Sequence, residues 1–227
     1  MPAPLSVVIP TLNAAAELPA TSTSLLSGAT DGLIRELILS DGGSTDETKA
    51  VASQLGAVWL EGPPGRGSQI ARAVAVASAP WLLILHADTH LSPEWAGVVQ
   101  QHMNDHPGKA GYFNLRFRAK GMAPRLVASA ANVRSRRLGL PYGDQGLLIS
   151  HALLDRIGGI PELPLMEDVA LARRLRGRLL PLDAVALTSA DRYQSRGWLR
   201  QSCRNLSTLV RYLLGADPQK LAERYRN

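Results

Sequence analysis

Four acidic side chains, Asp41, Asp88, Glu167 and Asp168, stand where a carboxylate could do chemistry. Asp88 closes the stretch Trp81-Leu82-Leu83-Ile84-Leu85-His86-Ala87-Asp88-Thr89, which starts apolar and turns abruptly polar. A run apolar on both side-chain faces reads as a central strand of a parallel sheet with helices on both sides. Ligands of open α/β sheets bind beyond the carboxyl ends of the strands, where His86 and Asp88 would sit. Asp88 could then supply one oxygen ligand to Mg²⁺ or Mn²⁺, with diphosphate oxygens and waters supplying the rest. The alternative is that it only caps a turn. His86 could hydrogen-bond nearby, but a zinc site would demand more organised protein ligands.

Asp41 follows a second apolar run and precedes Gly42-Gly43. It reads either as an Asx-turn residue or as a carboxylate on the nucleotide side of the crevice. Arg66-Gly67-Ser68-Gln69 reads as a helix-capping turn, or as donors placed near an anion. It is neither a dinucleotide fingerprint nor a P-loop. Glu167-Asp168 sits at a loop-to-helix junction, where acids favour a helix amino terminus. If that junction faces the crevice, one carboxylate accepts a proton from an acceptor hydroxyl. Adjacent helix residues point in different directions, so the other would shape the pocket. Arg116, Arg118, Lys120 and Arg125 read as an anionic-acceptor face or as solvated surface.

Strand–helix alternation must position these groups. Leu5–Ile9 is the first strand, ended by Pro10. Asn13 reads as the cap of a helix over 14–27, with Gly28 as its terminator. A second strand lies within 33–39, and Ser44 or Thr45 would cap the next helix, ending near Gly56. A short third strand covers 57–60, and a helix covers 70–78. The Trp81–Leu85 strand follows, and Pro93 opens a helix to about His106. Beyond Pro107 the rhythm weakens. A strand over 110–117, a helix over 123–137, a polar turn over 139–146 and a short strand over 147–149 come next. A helix ending near Gly158-Gly159, a helix over 169–176 and a strand within 178–187 follow. A carboxy-terminal helix carries Trp198, Leu199, Cys203, Leu206, Val210 and Leu213 at helical spacing. Such alternation supports a layered α/β fold.

The 227 residues suit one large domain, and 45% hydrophobic content builds a core without disulfides. Cys203 is the only cysteine, which excludes a disulfide scaffold and a cysteine metal site. A formal charge of +6 favours anionic partners. Aromatic content of 5%, with no recognised recognition element, argues against nucleic acid. No stretch reaches the ~18–20 apolar residues of a membrane span, and Met1-Pro2-Ala3-Pro4 leads into a strand without a secretory segment. The expected location is the cytoplasm. For the apolar–basic carboxy-terminal helix, domain packing is the default. Peripheral contact with the cytoplasmic membrane face and a homodimer stay open.

Val8-Ile9-Pro10-Thr11-Leu12-Asn13, Ser40 to Asp46, Arg66-Gly67-Ser68-Gln69, Leu85-His86-Ala87-Asp88-Thr89 and Met166-Glu167-Asp168-Val169 together resemble a family 2 glycosyltransferase of the GT-A fold. With Gly143-Asp144-Gln145-Gly146 they are similar to a compact bacterial subgroup, some members of which are named for arsenosugar biosynthesis. The resemblance covers nearly the whole chain. It implies one α/β domain over 1–227, a mostly parallel central sheet flanked by helices. Residues 1–106 would mainly bind a nucleotide-diphosphate sugar, and 107–227 would mainly bind the acceptor and catalyse. It implies that Thr11 and Asp41 meet the nucleoside, with Pro10, Glu17, Arg66 and Gln69 on the same donor side. Asp88 matches the last aspartate of the family's Asp-X-Asp motif and would hold Mn²⁺ or Mg²⁺. His86 replaces the first aspartate and would line the ribose or metal surroundings. Asp168 matches the catalytic base and Glu167 its neighbour in the Glu-Asp motif. Arg192 and Arg196, in a looser form of the family's tail motif, would touch diphosphate, and Trp198 would support the acceptor. The implied reaction moves one sugar to a hydroxyl with inversion. A nucleotidyltransferase acting on a nucleoside triphosphate and a sugar phosphate, or a non-catalytic nucleotide-sugar-binding domain, are the alternatives.

Overall fold

The computed structural model describes residues 2–226, with side chains to Arg224. The first half alternates: β1 (Leu5–Thr11), α1 (Leu18–Ser24), α2 (Leu26–Thr30), β2 (Ile34–Asp41), α3 (Thr48–Gln54), β3 (Val58–Glu61), α4 (Arg66–Val74) and β4 (Trp81–Ile84). Next come β5 (Thr89–Leu91), α5 (Trp95–Asp105), β6 (Ala110–Phe117), α6 (Met122–Leu138), β7 (Leu147–Ser150) and α7 (His151–Arg156). The chain continues through α8 (Glu167–Arg174), β8 (Leu179–Thr188), α9 (Asp191–Arg196), α10 (Trp198–Leu213) and α11 (Pro218–Arg226).

The eight strands form one sheet in the order β3-β2-β1-β4-β7-β6-β8-β5. β3, β2, β1 and β4 run parallel, as do β6 and β8, while β7 is antiparallel to both neighbours and β5 to β8. The mostly parallel sheet expected from the sequence is therefore present. Its faces follow the two-residue period of a strand. Leu5, Val7, Ile9, Leu83 and Leu85 join Trp95 and Phe113 in one core layer. Val8, Leu82 and Ile84 join Ile38, Ile70 and Ile149 in the other. Helices on both faces explain why β1 and β4 are apolar at nearly every position.

Several local expectations are corrected. Asn13 caps no helix: α1 starts at Leu18 after Glu17, and Asn13 adopts a φ of 51°. Its side-chain oxygen instead accepts from the Thr45 amide at 2.8 Å. Gly28 does not terminate a helix but lies inside α2 against the fully buried Trp95, whose ring a Cβ there would strike. Ser44 and Thr45 do not cap α3, which starts at Thr48; Ser44 serves Asp41 and the Asn13 amide instead. α4 begins four residues early, at Arg66, so the glycine-rich stretch is shorter than expected. β5 and α9 were not expected. β5 is three residues long and gains its strand identity only by pairing with β8.

Candidate functional site

A cleft of about 760 Å³ opens at the carboxyl ends of β1 and β4. Pro10, Thr11, Glu17, Arg66, Gln69, His86, Asp88, Asp168, Arg192 and Arg196 all line it. Ten positions separated by most of the chain thus meet at one place. Two of the predicted residues, Asp41 and Glu167, stand behind the wall.

Asp41 is 2% exposed and fully engaged. Its Oδ1 accepts from the Thr11 hydroxyl at 2.9 Å and the Ser44 hydroxyl at 2.5 Å, and its Oδ2 accepts from the Gly43 and Ser44 amides, each at 2.7 Å. Burial opposes its ionisation, but the hydrogen bonds from Ser44, Gly43 and Thr11 outweigh it and hold the carboxyl below its ordinary value. Gln69 is the companion clamp. Its Nε2 donates to the carbonyls of Thr11 and Ser40 at 2.8 Å each, joining the ends of β1 and β2 to α4. Arg72 adds a 2.7 Å bond to the Asp41 carbonyl.

Asp88 stands at the turn between β4 and β5. Burial pushes its carboxyl up, with Arg192 pulling the other way. Arg118 reaches its carbonyl at 3.4 Å and pairs with Glu17 at 2.6 Å. Of the four basic residues with two readings, Arg118 therefore belongs to the rim of this site. Burial, then the cations Arg66 and Arg192, take the His86 imidazole well below its ordinary value. Its Nε2 lies 3.5 Å from Arg66 Nη1, and the ring packs under Gly143, where a Cβ would come within 2.5 Å of Nε2.

Gly143 opens a 3-10 turn, Gly143–Gln145, that crosses the cleft floor. The fully buried Gln145 anchors the turn through the Ser135 hydroxyl at 2.5 Å and the Phe113 carbonyl at 3.0 Å. The Gly143 amide donates to Asp168 Oδ2 at 2.9 Å. Asp168 Oδ1 accepts from the Val169 amide at 2.7 Å, at the amino terminus of α8. That terminus is set by Met166 at φ 65°. Asn13 and Met166 are the two non-glycine residues with positive φ among those described, and both line this cleft. Strained backbone of this kind persists only where surrounding structure over-determines it.

Glu167 lines a small recess with Ile70, Leu171 and Leu175, which Asp168 also borders. Glu167 is 3% exposed and lies 3.2 Å from Arg66 Nη1 without a hydrogen bond. Burial outweighs that guanidinium and pushes its carboxyl upward. Asp144 is the functional candidate that the sequence reading left as a turn residue. It lines the cleft, its buried Oδ1 has no hydrogen-bond partner, and burial pushes its carboxyl up to about 6 against the pull of Arg134. An acid enclosed by Gly143 and Gly146 was the available signal. The far wall holds Phe117 and Tyr193, with Trp198 stacked on Tyr193 at 4.9 Å between ring centroids. Trp198 thus supports the wall from behind.

Among the described residues no three His, Cys, Asp or Glu side chains gather into a metal cage. Asp88, one carboxylate in a roomy polar cleft, suits a hard cation that draws its other oxygens from substrate and water. It does not suit zinc.

Known proteins are similar to this chain. "PGL/p-HBAD biosynthesis glycosyltransferase" of Mycobacterium tuberculosis is 40% identical over 99 residues, 40% of this chain and 38% of that protein. Glucosyl-3-phosphoglycerate synthase of M. tuberculosis is 36% identical over 93 residues, 37% of this chain and 28% of that protein. The matches thus span well under half of these relatives. The crystal structure of that synthase with Mn²⁺, UDP and phosphoglyceric acid superposes with a TM-score of 0.58 at 23% identity, over 81% of this chain and 68% of that one. S. aureus TarS 1-349 with UDP-GlcNAc superposes at 0.64 and 18% identity, over 82% and 58% of the two chains. At these identities the structures speak for the fold alone, which is the GT-A fold. The model of "Glycosyl transferase family 2" matches residues 6–143, from β1 to Gly143 at the start of the turn beneath Asp168, and the chain therefore belongs to glycosyl transferase family 2.

Proposed function

We propose that this chain moves one sugar from a nucleotide-diphosphate sugar to an acceptor hydroxyl, with inversion at the anomeric carbon and with Mg²⁺ or Mn²⁺. The observation that carries this reading is that Asp88 and Asp168 line one cleft, the latter fixed by the Gly143 amide. One carboxylate stands on the side formed by β1 and β4, and the other enters from α8.

Thr11, Pro10 and the turn locked by Asp41 form the nucleoside side in this reading. Arg192 and Arg196 offset diphosphate charge, and Asp88 is the protein ligand of the cation. When bound, that cation stabilises charge on the departing diphosphate. Asp168 takes the acceptor hydroxyl's proton as its oxygen attacks the anomeric carbon. The bond from that carbon to the diphosphate breaks, and the nucleoside diphosphate leaves with the electron pair. Asp144 offers its unpaired oxygen to a sugar hydroxyl. Glu167 acts on the site through Arg66 rather than on substrate. Residues 1–106 are thereby mainly donor-binding and 107–227 mainly acceptor-binding and catalytic.

A donor–acceptor screen with Mg²⁺ or Mn²⁺ tests the reading, measuring released nucleoside diphosphate and the mass of any glycosylated product. UDP-glucose and UDP-GlcNAc are the first donors, since structural neighbours bind them. A product one sugar heavier is expected. Pyrophosphate release from a nucleoside triphosphate and a sugar phosphate, without sugar transfer, would replace the reading with nucleotidyl transfer.

A further inference from the structure

The inward face of α10 carries Gln201, Asn205, Thr208 and Leu209, and the first two line the cleft. Its outward face carries Leu199, Cys203, Leu206, Val210 and Leu213, at the three- and four-residue spacing of one helical stripe. These side chains are exposed, Leu199 at 79% and Leu206 at 60%. Leu209 already packs α10 on the domain, so the stripe is apolar surface beyond what that packing uses. α6, which touches α10, also leaves Met122, Leu126 and Val133 exposed.

Charge selects what covers this face. α6 has four arginines, α10 has three, and neither helix contains Asp or Glu. Arg125, Arg137, Arg200 and Arg211 are exposed beside the apolar side chains. Two copies meeting through this face would bring arginine against arginine, which disfavours a homodimer here. Apolar side chains flanked by cations, on a helix lying in the surface, match the interface of an anionic bilayer. No helix among the described residues is long and apolar enough to cross a membrane. We propose that the outward face of α10, with the adjoining part of α6, docks this chain on an anionic phospholipid surface. Docked so, the cleft wall at Gln201 and Asn205 stands one helix diameter, roughly 10 Å, from the headgroups.

Sedimentation with phosphatidylcholine vesicles containing about 30% phosphatidylglycerol tests this, with pure phosphatidylcholine as the control. The chain is expected to bind the anionic vesicles, to lose binding as salt is raised, and to leave neutral vesicles unbound. The double variant Leu206→Glu, Val210→Glu should bind at least about tenfold more weakly, and Arg200→Glu, Arg211→Glu should do the same. All four positions lie outside the cleft, so an unchanged circular dichroism spectrum certifies folding. Equal binding to neutral vesicles, no binding at low salt, or undiminished binding by both variants overturns the proposal. A dimer that the Leu206→Glu, Val210→Glu variant dissociates, without vesicle binding by either form, assigns the face to a second copy instead. The readout needs no sugar transfer, so it stands or falls separately from the proposed reaction.

Discussion

The amide of Gly143 holds Asp168 by a 2.9 Å hydrogen bond to Oδ2, across 25 positions of sequence. The same glycine rests on His86, so the residue where the family motif has its first aspartate supports the turn that orients Asp168. His86 is linked to Asp168 through Gly143, by packing on one side and a hydrogen bond on the other.

Gly143→Ala should therefore injure turnover more than folding. The added methyl meets the imidazole, and the turn must shift. A displacement of about 1 Å at a catalytic group can cost on the order of 100-fold in rate. We expect kcat to fall about 10- to 100-fold with donor affinity within a few-fold of the parent. Steady-state kinetics and donor titration calorimetry measure the two, and an unchanged kcat would remove the turn from the mechanism.

The paired acids should respond unequally to amidation. Asp168→Asn removes the proposed base and should lower kcat by roughly 100- to 10,000-fold while donor still binds. Glu167 is buried, without a hydrogen bond, and pushed toward its neutral form. Glu167→Gln has nearly the same shape, so kcat should stay within about fivefold of the parent. Equal losses in both variants would contradict the division of roles.

Asp144 gives a pH signature. Its folded value, about 6, lies above its ordinary 3.8, so between these limits the folded chain binds more protons than the unfolded one. Stability without ligand should therefore fall as pH rises across that window, by up to about 3 kcal/mol. Asp144→Asn should remove this part of the slope, which urea unfolding at a series of pH values reads directly. An identical slope in the variant would dismiss the assignment.

Asp41→Ala should act on the fold as well as on the donor. It strips the acceptor from two hydroxyls and two amides at the ends of β1 and β2. The expected loss is about 2–4 kcal/mol in unfolding free energy, together with weaker donor binding. Weaker donor binding at full stability would show that Asp41 serves the ligand alone.

Every strand but β5, and the places where chemistry could collect, are legible in the residues alone. The two-faced apolar runs of β1 and β4 announce a covered sheet, and their polar ends mark where ligands bind. Helix starts were less legible, because Asn13, Ser44 and Thr45 satisfy backbone groups of other loops rather than caps of their own helices. Which acids face the cleft depends on packing between segments distant in the chain. That packing turned Asp41 into a lock and Glu167 into a buried neighbour of Arg66, and brought Asp144 beside Asp168. It also decided that the apolar stripe of α10 faces outward. Spacing fixes which residues share a helix face, but only packing against the rest of the chain chooses which face is covered.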